Sequence, residues 1–155
     1  MRFDQLKNEE LRAPNRALLE KFLGFIGRQE YNEACALFTD DVLADFPYLP
    51  SAELVNEYRG RDAVKAFISS SKEMGFTPYN FEITAVFDLA EPNRLIAEYR
   101  TGAGSMFKPT GAAYENRYIG IFEFRDGQIS FWREYLNPMV ALNILKGVGA
   151  AKAGG

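Results

Sequence analysis

Past Gly75 the chain runs through four consecutive stretches with a two-residue apolar period and no helical spacing between them, and this limits the possible folds more than any other feature. Tyr79, Phe81, Ile83, Ala85 and Phe87 alternate with polar residues up to a turn at Glu91-Pro92-Asn93, and Arg94 to Thr101 begins the second stretch. Tyr114 to Phe124 and Gln128 to Leu136 are the third and fourth. Arg125-Asp126-Gly127 joins these two, and Asp-Gly supplies the positive φ angles of a tight hairpin turn. Gly102-Ala103-Gly104-Ser105 and Lys108-Pro109-Thr110-Gly111 read as loop or hairpin. Successive strands with no crossover helix form an antiparallel sheet.

The first half carries helical spacing instead. Leu18, Leu19, Phe22, Leu23 and Ile26 predict an amphipathic helix from Pro14 to Gly27. A shorter helix is predicted over Tyr31 to Phe38, closed by Thr39-Asp40-Asp41. A third, with Val64, Phe67 and Ile68 inward, is predicted from Arg61 to Met74, with Gly75 just past its end. Between them Val42 to Tyr48 alternates as a strand, with Val42, Ala44, Phe46 and Tyr48 on one face and Leu43 and Asp45 on the other, until Pro47 and Pro50 stop it. Ser51 to Arg59 reads as a loop. The order predicts an α+β fold: a curved antiparallel, locally mixed sheet wrapped by three helices of the N-terminal half. One domain is expected over residues 14–145, after an N-terminal extension over 1–13 and before a flexible tail over 146–155.

Composition narrows the function. Thirteen Phe and eight Tyr against one Trp fill a core, and a surplus of them also suits a cavity or a subunit interface. In Tyr118 to Phe124 both faces are apolar, with Tyr118, Phe122 and Phe124 opposite Ile119 and Ile121. Helices cover one face of a sheet only, so a homodimer through the outer sheet face is expected. A net charge of -3 without a Lys/Arg cluster argues against nucleic acid. A charged stretch from Met1 to Arg12 and no long apolar run predict a cytoplasmic protein with no membrane partner. The chain has no histidine, which removes the usual general base and the commonest metal ligand. The lone Cys35, between Ala34 and Ala36, reads as a small buried apolar residue. No metal and no cofactor are therefore expected, and acid-base chemistry falls to Asp, Glu, Tyr or Lys.

Strand parity sets the candidate residues. Ser130, Trp132 and Glu134 share one face of their strand, opposite Ile129, Phe131, Arg133 and Tyr135. Asn116 and Tyr118 share a face, as do Glu98 and Arg100. Arg100 is a candidate to steady negative charge on a substrate or to hold Glu134 ionised, and Glu98 is a candidate second carboxylate. A solvated cross-strand ion pair explains the same two residues equally well.

Leu37-Phe38-Thr39-Asp40-Asp41, the helix start Arg59-Gly60-Arg61-Asp62-Ala63, and Asp126-Gly127-Gln128-Ile129 through Trp132-Arg133-Glu134-Tyr135-Leu136-Asn137-Pro138 follow one another in an order that resembles the SnoaL-like branch of the nuclear transport factor 2-like superfamily. The resemblance implies a cone-shaped sheet enclosing a pocket for a small hydrophobic molecule, with Trp132 and Glu134 turned inward. Ala97-Glu98-Tyr99, Tyr114-Glu115-Asn116 and Arg133-Glu134-Tyr135 are similar to the phenazine-biosynthesis A/B proteins, and Trp132-Arg133-Glu134-Tyr135 to the Trp-Arg-Asp-Tyr of limonene epoxide hydrolase. Both comparisons put an acid-base residue on Glu134. Asp45 lies near the place where ketosteroid isomerase carries its base, one residue out of register when anchored on Asp40-Asp41. The expected pocket lining is Trp132, Tyr118, Asn116, Tyr48, Phe22 and Phe67. A carboxyl beside an indole in such a pocket has a raised pKa, suited to proton transfer. Three readings follow: a cofactor-free isomerase, cyclase, dehydratase or condensation catalyst with Glu134 as proton shuttle; an epoxide hydrolase in which Glu134 activates water; and a non-catalytic ligand-binding or protein-interaction module.

Overall fold

The computed structural model describes residues 8–51 and 55–153, with side chains through 147. Its helices are α1 (Glu9–Gly27), α2 (Tyr31–Cys35), α3 (Arg61–Met74) and α4 (Pro138–Ala153). Its strands are β1 (Phe38–Asp45), β2 (Glu57–Arg59), β3 (Phe81–Asp88), β4 (Arg94–Thr101), β5 (Met106–Phe107), β6 (Ala112–Ala113), β7 (Arg117–Arg125) and β8 (Gln128–Leu136). Six strands form one sheet in the order β2-β1-β8-β7-β4-β3, and β5 and β6 form a separate hairpin. β1 runs parallel to β8, and every other neighbouring pair is antiparallel.

The sheet curves without closing. Register shifts break the β1–β8, β3–β4 and β7–β8 ladders, between Phe38 and Leu43, Ile83 and Ala85, and Glu123 and Phe124 respectively. Each irregularity bends its strand and sharpens the local twist. The β7–β8 turn has φ of 52° at Asp126 and 74° at Gly127, as the Asp-Gly pair predicts. On the concave side α1 inserts Leu19, Phe22 and Leu23, one face of a helical turn, into the core. Phe22 packs edge-on against Trp132 with centroids 5.0 Å apart and lies 5.2 Å from Phe38. Burying each such side chain contributes about 1.5–3 kcal/mol.

Four expectations are corrected. α1 begins at Glu9, so Pro14 sits inside it and part of the presumed extension is folded. The first turns are held from outside: Arg12 donates to the Leu89 carbonyl at 2.8 Å, and Asn15 donates to the Pro92 carbonyl at 3.3 Å. α2 stops at Cys35, because Phe38 is fully buried and pairs with Ile129 of β8, which draws Phe38 to Asp41 into β1. Within the supposed loop, Glu57 to Arg59 pair with β1 as β2. Residues 146–153 of the supposed tail continue the helix α4, whose buried Ile144, inside the expected domain, packs with Phe107 and Tyr114. Residues 1–7 of the expected extension and 154–155 of the expected tail lie outside the described residues.

The convex face of the sheet presents Ile96, Ile119, Ile121, Phe131 and Tyr135, with Ile119 43% exposed. Among the described residues no helix is long and apolar enough to cross a membrane.

Candidate functional site

Near the end of β8, Trp132 and Glu134 project from the concave face into a cavity of about 270 Å³. Ile26 of α1, Phe67 and Ile68 of α3, Phe81 of β3, Tyr118 of β7 and Leu145 of α4 form its walls. Glu134 is the one carboxyl among the described lining residues, and none of those residues is Lys or Arg. It is 7% exposed, and burial pushes its pKa from 4.5 up to about 7, against the smaller opposing effect of a hydrogen bond from Tyr99.

That hydrogen bond, from the Tyr99 hydroxyl to Oε2 of Glu134, spans two strand spacings. Tyr99 is on β4 and Glu134 on β8, with β7 between them, so the two backbones stand about 9–10 Å apart. On β7 the intervening inward position is Gly120, paired with Glu134 on one side and Ala97 on the other. A Cβ there would stand 2.8 Å from the Tyr99 hydroxyl oxygen and 2.5 Å from Cε2 of Phe122. Gly120 has no positive φ, so the glycine answers a need for space: it opens the passage through which Tyr99 reaches the carboxyl.

More tyrosines complete the polar end. Tyr118 stacks on Tyr99 with centroids 5.4 Å apart, and the Tyr114 and Tyr118 hydroxyls share a hydrogen bond of 2.6 Å. Tyr79 also lines the cavity. Desolvation, with the nearby Glu134 and neighbouring tyrosines adding to it, holds the hydroxyls of Tyr79, Tyr99 and Tyr118 well above their usual pKa, so at neutral pH they remain protonated donors. The Trp132 indole N–H is buried without a hydrogen-bond partner. It is near enough to the Tyr99 hydroxyl to oppose slightly the upward shift that burial produces there. Away from this group the walls are aromatic, with Phe46 and Phe67 at 4.6 Å and Phe46 and Trp132 at 4.9 Å.

Of the residues the sequence singled out, Glu134, Trp132, Tyr118 and Phe67 line the cavity. Phe22 lies one layer deeper, fully buried in the core. Asn116 sits behind Tyr114, donating to its hydroxyl at 3.4 Å and to the Asn137 carbonyl at 3.2 Å, which ties the start of α4 to the tyrosine cluster. Tyr48 is 57% exposed and packs on Tyr135 of the convex side, because β1 ends at Asp45 and the alternation stops before Tyr48. Glu98 and Arg100 face outward, since Leu95, Ala97, Tyr99 and Thr101 fill the inward positions of β4. Arg100 donates to Glu82 at 2.6 Å in a half-exposed pair, the solvated arrangement weighed above, and reaches neither Glu134 nor the cavity. Asp45 accepts from Nε of Arg133 at 2.7 Å, on the strand face opposite Trp132 and Glu134. Ser130 also leaves the inward set: the β7–β8 irregularity puts Ile129 in the core and turns the Ser130 hydroxyl to the Glu123 carbonyl. Cys35 is buried, and desolvation pushes its thiol up to about 11, so it is no nucleophile at neutral pH. Among the described residues no group of three His, Cys, Asp or Glu is placed to hold a metal ion.

Sequence reasoning missed Tyr99, Tyr114, Tyr79 and Gly120. For Tyr99 the signal was present, in its parity with Leu95 and Ala97.

Residues 19–132 match the SnoaL-like domain. A PhzA/B-like protein of Pseudomonas aeruginosa is 31% identical over 120 residues, spanning 76% of this chain and 79% of that one. The phenazine biosynthesis protein PhzA2 of the same organism is 29% identical over 140 residues, or 89% and 84% of the two chains. The solved structure of an LEH-like epoxide hydrolase from M. tuberculosis shares the fold with a TM-score of 0.64 at 17% identity, covering 93% of this chain and 98% of that one. The curved sheet, its wrapping helices and the matched stretch thus place the chain in the SnoaL-like family of the nuclear transport factor 2-like fold.

Proposed function

We propose that the protein is a cofactor-free acid-base catalyst that moves a proton on a small apolar molecule held in the concave cavity, with Glu134 taking and returning the proton. One observation carries this reading: the one carboxyl among the described lining residues of an apolar cavity is buried, which pushes its pKa up to about 7, and it sits among hydroxyls that stay protonated. A group poised near neutral pH is present in both forms and transfers protons efficiently in either direction. As carboxylate, Glu134 accepts a proton from a C–H next to a substrate oxygen. Negative charge builds on that oxygen, and a hydroxyl of the Tyr114–Tyr118 pair donates to it. Glu134 then gives the proton back: to another carbon of the enolate, which completes an isomerisation; to the alkoxide left when the enolate carbon bonds to a second carbonyl carbon of the substrate, which completes a cyclisation; or to a β-hydroxyl whose C–O bond breaks as it leaves as water, which completes a dehydration. The phenazine-biosynthesis relatives support a reading in small-molecule metabolism.

The proposal includes a homodimer across the convex face, supported by the apolar residues Ile96, Ile119, Ile121 and Phe131, which no helix among the described residues covers, and sedimentation velocity reads it directly.

The catalytic claim is tested with 2-tetralone in deuterated buffer, following exchange of its acidic C–H by NMR. Glu134→Gln keeps the shape of the side chain and removes the titrating proton, so exchange falls about 100-fold or more while binding of 2-tetralone changes less than twofold. Wild-type exchange rates in the variant refute the assignment.

A further inference from the structure

We infer that the cavity selects against anionic ligands, so that the substrate is a neutral, largely apolar molecule whose polar part is an accepting oxygen such as a carbonyl. This deepens the proposed acid-base reading, although it depends only on the cavity being a ligand site.

The inference rests on which charges the fold lets in. The polar groups of the described lining beside Glu134 include the hydroxyls of Tyr79, Tyr114 and Tyr118, and these suit an accepting oxygen. No cation is among them. The reason is built into the strands. Arg94 and Arg100 on β4, Arg117 and Arg125 on β7, and Arg133 on β8 all alternate with buried residues and therefore point to the convex or solvent side. Four of them are paired there, with Glu123, Glu82, Asp41 and Asp45. Arg61 at the start of α3 is held by the Phe38 carbonyl and by Asp40. A carboxylate or phosphate in this cavity would lose its water, gain no counter-charge, and face Glu134, itself ionised above neutral pH. A carbonyl meets none of these costs and finds donors waiting.

A matched pair of probes tests this with the full chain. 2-Acetylnaphthalene and 2-naphthoate share shape and ring system and differ in charge, and isothermal titration calorimetry measures both at pH 8 and pH 6. The neutral ketone is expected to bind at least tenfold more tightly at pH 8, with the ratio shrinking at pH 6 as Glu134 takes up its proton while the naphthoate stays charged. Leu136→Arg, which puts a cation into the lining, is expected to narrow or reverse the preference, and circular dichroism checks its fold. Equal or tighter binding of 2-naphthoate by the wild type at pH 8 overturns the inference, as does failure of the ketone to bind at all. Failure of the catalytic reading looks different: Glu134→Gln would keep full proton exchange while the ketone-over-carboxylate preference persisted.

Discussion

Gly120→Ala adds one methyl group at the point where Tyr99 crosses β7, and its consequence is best read at Glu134. The new Cβ would stand 2.8 Å from the Tyr99 hydroxyl oxygen, 3.0 Å from Cε1 of the same ring and 2.5 Å from Cε2 of Phe122. The β7 backbone is fixed by pairing on both sides, so the side chains give way. Such overpacking costs about 1–3 kcal/mol of stability. Displacing Tyr99 also removes a hydrogen bond to a charged acceptor, which is worth about 1.5–3 kcal/mol. That bond favours the ionised carboxylate, so its loss raises the pKa of Glu134. At 1.36 kcal/mol per unit the rise is about one unit or more. The rising limb of the exchange rate against pH, set by the carboxylate form, therefore moves from about 7 to about 8 or higher. Tyr99→Phe deletes the hydroxyl without crowding the strand and is expected to shift the limb the same way. The double variant adds little to either single one, because both act through one bond. A Gly120→Ala profile that matches the wild type while Tyr99→Phe shifts it would show that Tyr99 does not need the gap at Gly120, and a downward shift in Tyr99→Phe would reverse the assumed sign.

Two further outcomes follow from the same geometry. Glu134 has a folded pKa of about 7 against 4.5 for the free group, so the folded state holds the proton more tightly; the cost of charging it is absent below the lower value and fully present above the higher one. Stability to urea therefore falls by about 3 kcal/mol as pH rises through that window, and Glu134→Gln lacks this contribution; identical pH dependence in both proteins contradicts it. Arg100→Ala and Glu98→Ala keep the exchange rate within about twofold, since both side chains are solvated on the convex face; a loss of tenfold or more would mean that they reach the cavity.

The sequence was most legible where period and breakers agreed. β4, β8 and α3 have the bounds the pattern predicts, with Gly60 and Gly75 at positive φ on either side of α3. It misled where a distant partner decided. Phe38 to Asp41 follow a helical turn locally, yet pairing with β8 makes them strand. At the site, Glu134 and Trp132 were found from resemblance and their inward parity. Charge drew attention to Glu98 and Arg100, although Leu95 and Ala97 already marked the other face of β4 as the inner one and Tyr99 as its member. The part played by Gly120 depends on a register linking β4, β7 and β8, which no local pattern encodes. Tyr48 shows the reverse limit: alternation holds only while the strand lasts, and β1 ends at Asp45.

An infrared titration of the Glu134 carboxyl, taken as the wild-type minus Glu134→Gln difference spectrum between pH 4 and 9, asks whether this side chain is a neutral-pH proton carrier. A protonated C=O stretch that disappears with a midpoint near 7 is the expected result. A midpoint at or below 4.5 would mean a hydrated carboxylate in an open groove, with no proton to trade at neutral pH.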